Sequence, residues 1–269
     1  MTASLASLVP VFLLSAFFLG LAIGSFLNVV ILRGVRGEGL GGRSRCDHCG
    51  RTLSLRELIP VISFLWQKAR CRSCGAALSC QYPIVEWATA LVFFSIAAWI
   101  ISENSSAGYT PGSLSPFYFL LFPSAAALIV LVVSDIRFQI LPDGAVATLF
   151  LSGFFASWQR GALVHDLFAA GLIAGFFASL WFLSRGTWMG LGDAKLIFAT
   201  SLIAGFPLSL AAFLFAVWLG GAWGIILLIS GARGLKSRIP FGPFIIAGMM
   251  LAGFFGRPFL AATGLTLFL

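Results

Sequence analysis

Two aspartates stand where an apolar chain carries charge only at a cost. Asp135 closes the apolar run Phe117–Val133, and Asp193 follows the glycines of Gly190-Leu191-Gly192-Asp193 and opens another apolar stretch. An ionisable group at the edge of lipid marks a functional site by default. Two carboxylates held together share one proton and can run acid/base hydrolysis near neutral pH. Asp135 falls at the expected C-terminus of a helix, where the dipole disfavours a negative charge. Its alternatives are an ion pair with Arg137 or solvation. The two glycines before Asp193 permit close backbone approach. The alternative for Asp193 is a helix cap, with Lys195 snorkelling to the interface. Asp143, after Pro142, is placed to cap the next helix, with catalysis as the second reading.

A second constellation is thiol chemistry. Cys46-Asp47-His48-Cys49 and Cys71-Arg72-Ser73-Cys74 are each followed by glycine and are separated by 21 residues. Two such pairs resemble a four-thiolate zinc site, with a slightly long linker. The other readings are disulfides or metal-free thiols, and a reducing compartment disfavours the first. His48 is expected in solvent, and Cys80 as a small buried or interfacial thiol.

These residues need a scaffold, and composition says which kind. Of 269 residues, 59% are hydrophobic and 10% charged, and mean hydropathy is +1.02. Soluble domains carry roughly 25% charged residues. The chain is therefore expected to be an all-α polytopic membrane protein. A span needs ~20 apolar residues. Eight candidate spans begin near residues 8, 83, 116, 144, 163, 194, 208 and 243. Lys195–Phe206 is short, and Gly256-Arg257-Pro258 is expected to break the last span. The first apolar segment has no basic start and is too long for a signal peptide core, so it reads as a retained helix. The organisation expected is a first helix over 1–32, a cytoplasmic cysteine module over 33–82 and a seven-helix bundle over 83–269 carrying both aspartates. The module is too small to fold on apolar burial alone and needs a metal staple.

All but Arg160 and Arg257 of the 17 basic residues fall on one side of this topology. The positive-inside rule then puts the cysteine module and both aspartates at the cytoplasmic face, with both termini outside. The loop Glu103–Ser115, without Lys or Arg, suits the outer side. Topology accounts for the basic excess, so no nucleic-acid partner is expected, and the basic loop is expected to lie near anionic lipid. Glu86, one turn into its span, either ties the cysteine module to the bundle through a loop arginine or contacts substrate. Asn28 is expected to bond a neighbouring helix, and His165 and Asp166 to be solvated or capping.

Over nearly its full length the chain resembles the type IV prepilin leader peptidases, often bifunctional with an N-methyltransferase. The resemblance rests on Gly24-Ser25-Phe26-Leu27-Asn28, both cysteine pairs, Gln81-Tyr82-Pro83-Ile84-Val85-Glu86, the stretch Asp135–Asp143, Gly190–Lys195 and Ile239-Pro240-Phe241-Gly242-Pro243, in one order. G-x-G-D is shared with presenilin-like proteases, which lack the cysteine-bearing loop. The resemblance implies a bacterial inner-membrane aspartic protease with Asp135 and Asp193 as the pair, and Gly190, Gly192, Lys195, Glu86 and Asp143 in support. It implies prepilins of type IV pili or pseudopilins of type II secretion as substrates, cut after glycine. It also implies methyl transfer from S-adenosylmethionine, for which no nucleotide-binding fingerprint is present. Asp47 stands where proline is common in the family. A second reading is a proton-coupled transporter using both aspartates as relays, and a third a zinc-organised scaffold.

Overall fold

The computed structural model describes residues 2–106, 117–231 and 239–264. Arg233, Lys236 and Arg238, and residues 107–115 of the expected outer loop, lie outside the described residues. The described chain is helical: α1 (Thr2–Arg36), a 3-10 turn (Leu55–Leu58), α2 (Ile62–Trp66), α3 (Gln81–Ser106), α4 (Phe117–Phe138), α5 (Asp143–Gln159), α6 (Leu163–Ser184), α7 (Leu191–Ala204), α8 (Leu208–Ile229) and α9 (Gly242–Ala262). Contacts divide the chain into two units, Met1–Val130 and Leu131–Leu269.

The first unit is built on α1 against α3. Gly20 and Gly24 lie one turn apart on α1, and a Cβ on them would stand 2.6 Å from Ala90 Cα and 2.7 Å from Glu86 Cα. Small residues let backbones meet where lipid supplies no hydrophobic drive between helices. Asn28 fastens the same pair: its amide donates to Tyr82 O at 3.2 Å and its Oδ1 accepts from Gln81 Nε2 at 3.2 Å. The cysteine module, between α1 and α3, has no strand, only two isolated antiparallel bridges, Arg45 with Thr52 and Arg70 with Ala77.

In the second unit, α7 packs against α5, α6, α8 and α9. Eight of its 14 residues are buried, from Asp193 to Leu202. Gly153 of α5 touches it at Leu202 and Ile203, and Gly248 of α9 meets Ala212 and Ala216 of α8.

Six helices are long and apolar enough to cross a membrane: α1, α3, α4, α6, α8 and α9. The expectation of eight spans therefore holds for six by length. The two that fall short are α5, with 17 residues, and α7, with 14. At 1.5 Å per residue α7 reaches about 21 Å, against a hydrocarbon layer of about 30 Å. A helix sheathed by four others does not meet lipid along its length and is not held to that thickness. A further correction concerns α9, which runs unbroken through Gly256-Arg257-Pro258.

Candidate active site

The end of α4 carries Asp135 into the second unit. Its side chain is 5% exposed, and Oδ2 accepts the backbone N–H of Gly242 at 2.8 Å. Gly242 is the first residue of α9, so this N–H is one of the donors a helix start leaves unpaired, and the positive end of α9 faces the carboxylate. A Cβ on Gly242 would stand 2.8 Å from Asp135 Oδ2, so glycine is the residue that admits this contact. The ion pair or solvation considered for Asp135 is replaced by this amide.

Asp193 is the third residue of α7, also buried, and its Oδ2 accepts the N–H of Gly190 at 3.3 Å. The side chain thus reaches back over the start of its own helix, half of a capping box. Leu141 joins the two aspartates. A Cβ on Gly192 would lie 3.2 Å from Leu141 Cδ1, and one on Gly242 3.3 Å from Leu141 Cδ2. The glycine beside Asp193 and the glycine that holds Asp135 therefore grip one leucine from two sides. Both carboxylates thus border the space around this leucine. Each uses Oδ2 for a backbone N–H, and among the described residues no donor reaches either Oδ1.

The supporting residues differ in part from expectation. Pro142, not Asp143, occupies the N-cap position of α5. Asp143 instead accepts from Lys195 Nζ at 2.8 Å, on an exposed surface. Lys195 is therefore paired across to α5 rather than left to snorkel alone. Glu86 is buried and takes no arginine: its Oε2 accepts the N–H of Val61 at 2.7 Å. The tie between α3 and the cysteine module exists, but a backbone amide makes it. Asp166 corrects a further expectation. It is buried, not solvated, and accepts from Ser157 Oγ at 2.6 Å, Arg160 Nη2 at 2.9 Å and Phe206 N at 2.8 Å. His165 beside it is exposed.

The four paired cysteines meet. Their sulfurs all lie within 4.8 Å of one another, and Cys46 Sγ to Cys74 Sγ is 3.9 Å. A disulfide needs about 2.05 Å, whereas four thiolates at 2.3 Å from one zinc stand about 3.8 Å apart. No disulfide links them. Each pair sits on the same knuckle. Gly50 N donates to Cys46 O and Gly75 N to Cys71 O, both at 2.9 Å, with φ of 69° and 70° at the two glycines. Cys46 N reaches Arg51 O and Cys71 N reaches Ala76 O on return. The repeat thus extends past C-x-x-C-G into the flanking bridges. Backbone N–H groups of Cys74 and Ser73 push the Cys71 thiol down to about 6, whereas burial and the neighbouring sulfurs push Cys74 up to about 11, as expected of thiols crowded on one point. The donor set fits a structural zinc. Cys80 stands apart and exposed.

Comparison with known proteins gives the family of the chain. The family model described as Bacterial Peptidase A24 N-terminal domain matches residues 18–100, and that described as Type IV leader peptidase family matches residues 122–225. A prepilin leader peptidase/N-methyltransferase of Bacillus subtilis (strain 168) is 34% identical, over 89% of this chain and 93% of its own. This chain belongs to the type IV leader peptidase family. A prepilin leader peptidase/N-methyltransferase of Burkholderia pseudomallei is 29% identical over 93% of this chain and 87% of its own. A type 4 prepilin-like proteins leader peptide-processing enzyme of Escherichia coli is 33% identical over 85% and 88%. No solved structure matches.

Two features of this leader peptidase relative were not legible as site parts in the sequence. Gly242 carried a signal, the prolines Pro240 and Pro243 that shape the entry to α9, but nothing in sequence names its partner. The other is a cavity of about 770 Å³ in the first unit, between α1, the knuckles and the start of α3. Its wall includes four arginines, Arg33, Arg36, Arg43 and Arg45, together with Glu38, Asp47, Tyr82 and Glu86. That size lies within the usual range for small-molecule sites. The arginines suit a carboxylate and the acidic and aromatic groups a cation, so the wall can take a zwitterionic ligand that carries both.

Proposed function

We propose that this chain is a membrane aspartic endopeptidase that cuts the basic leader from prepilins or pseudopilins after glycine and methylates the new N-terminus. The observation that carries the proteolytic reading is that Gly242, which donates to Asp135, and Gly192, beside Asp193, both pack on Leu141, with one backbone N–H on each carboxylate. One carboxylate, ionised, takes a proton from water as it attacks the scissile carbonyl. The other, protonated, donates to the carbonyl oxygen, and the two titrate as a unit. Gly190, Gly192 and Gly242 keep bulk off the backbone around the pair, and the Asp143–Lys195 pair ties the start of α7 to α5. The test is leader cleavage by purified Asp135→Asn and Asp193→Asn proteins. Each is expected to lose cleavage while remaining folded, and near-normal cleavage by either would end the dyad reading.

Methyl transfer needs a donor, and S-adenosylmethionine supplies an electrophilic methyl group when bound. The cavity of the first unit is the site we assign to it. Tyr82 Oη donates to Asp47 Oδ2 at 3.4 Å, and Arg36 Nη2 to Asp47 Oδ1 at 3.0 Å, so this wall is pre-ordered. Binding of S-adenosylhomocysteine, measured by calorimetry on the full chain, is expected to weaken in Tyr82→Ala. Zinc in the knuckles would hold this wall in place. The positive-inside rule supports a bacterial inner-membrane protein with both sites at the cytoplasmic face and both termini outside. Proton-coupled transport, the second reading, finds no support in the family of this chain.

A further inference from the structure

The short helix α2 is amphipathic in the wrong direction for a module in water. Ser63, Phe64 and Gln67 line the cavity of the first unit. Ile62, Leu65 and Trp66, at the i, i+3, i+4 spacing of one helix face, are 57%, 68% and 68% exposed. Leu55 and Ile59, just before α2, are exposed as well. A helix of a water-soluble fold turns its apolar stripe inward. This one turns Phe64 inward with Ser63 and Gln67, and leaves its three other large apolar side chains out.

The level of α2 along the membrane-crossing helix beside it explains the inversion. The N-cap residue of α2, Val61, donates its N–H to Glu86 of α3 at 2.7 Å. Glu86 is the sixth residue of the candidate span Gln81–Glu103, about 7 Å along it at 1.5 Å per residue. The start of α2 is therefore level with the first turns of a membrane-crossing helix, not above them. Val61 has φ of 61°, a left-handed conformation unusual for a β-branched residue. The Glu86 carboxylate holds it there, which aims the helix that follows. Exposed basic residues, Arg56 before α2 and Lys68 after it, bracket the apolar face in sequence. Apolar and aromatic groups edged by Lys and Arg are the composition of interfacial helices, and Trp favours the headgroup level.

We propose that α2, with Leu55 and Ile59, is an interfacial foot of the cysteine module. Ile62, Leu65 and Trp66 rest at the headgroup–acyl boundary of the bilayer that α3 enters, and Arg56 and Lys68 meet lipid phosphates. The foot is a lipid-binding surface separate from the spans. Because the other face of the same helix lines the cavity, it also holds the cavity against the membrane surface.

The experiment compares the full chain with Trp66→Phe in nanodiscs of phosphatidylcholine and phosphatidylglycerol. The difference in emission isolates Trp66 from the other tryptophans. The variant replaces an exposed indole with a phenyl ring and leaves buried packing intact. In discs whose acyl chains carry bromine, Trp66 is expected to lose most of its emission, while aqueous iodide leaves it nearly unchanged. Quenching by iodide but not by bromolipid would show this face in water and overturn the proposal. Quenching by neither would show the face covered by protein, a second copy or another partner, and would overturn it equally.

Discussion

Single atoms set the behaviour of the aspartyl pair. Gly242 donates to Asp135 Oδ2 at 2.8 Å, and a Cβ there would stand equally near that oxygen. Gly242→Ala must push the carboxylate or the start of α9 aside. Misplacement of a catalytic group by about 1 Å costs roughly a hundredfold. We therefore expect Gly242→Ala to lower kcat for leader cleavage by about 10- to 100-fold, with KM nearly unchanged, in steady-state assays on a prepilin peptide. Methylation of a pre-cut peptide by the same protein is expected to persist, because the cavity assigned to the donor lies in the other unit. Loss of both activities together would instead point to misfolding.

At the scale of elements, two clamps can be tested apart from chemistry. The far end of α7 is held by Arg160, whose Nη2 donates to Leu202 O at 2.7 Å and to buried Asp166. Arg160 is partly open to solvent, so loss of the carboxylate charge costs less than in a fully buried pair, but Asp166 also holds Ser157 and the Phe206 N–H. Asp166→Asn is expected to lower the thermal midpoint in detergent by several degrees, read by differential scanning fluorimetry. The cysteine knuckles form the second clamp. Purified protein is expected to hold about one zinc per chain by elemental analysis. Chelation or Cys71→Ser is expected to open residues 44–78 to protease while the helices stay intact. Glu57 adds a pH dependence to this module. Its Oε2 takes the N–H of Ser54 at 2.8 Å, Arg51 pairs with its other oxygen, and the backbone bond holds the carboxyl below its ordinary range. A depressed folded value stabilises above the unfolded one, about 4.3, and the contribution is lost as pH falls through the folded value. Glu57→Gln should therefore flatten acid unfolding of the module between pH 5 and 3, as followed by hydrogen exchange at residues 54–57.

Across the whole molecule, the open quantity is how many helices cross. Six meet the length of a bilayer, and α5 and α7 do not. If α5 nevertheless crosses, its far end and the loop before α6 lie on the outer side. Exposed Cys80 is then expected to label with an impermeant maleimide only from the cytoplasmic side. His165→Cys in a Cys80→Ser background should label only from the outside. Labelling of both from one side would leave α5 and α7 as a re-entrant pair and would move Arg160 and Asp166 to the inner face.

The sequence by itself determined the membrane class, from composition alone, and located the helices that burial in lipid demands, because each apolar run must close its own backbone bonds. It also displayed both thiol pairs, since metal ligation at knuckles is local, and it singled out Asp135 and Asp193, since charge beside apolar runs is costly wherever it folds. What it left undecided were contacts between residues far apart in the chain. Nothing local says that Gly242 faces Asp135, that Glu86 takes the Val61 amide instead of an arginine, or that Asp166 is buried under Arg160. Asp143 was misread as a cap because its partner Lys195 lies on another helix. The short span α7 and the unbroken α9 belong to the same class, because neighbours set what length a helix needs and whether a proline interrupts it. Periodicity and composition report what each segment must bury. Only packing reports against what, and the candidate catalytic geometry, the donor cavity and the outward apolar face of α2 all depend on that second answer.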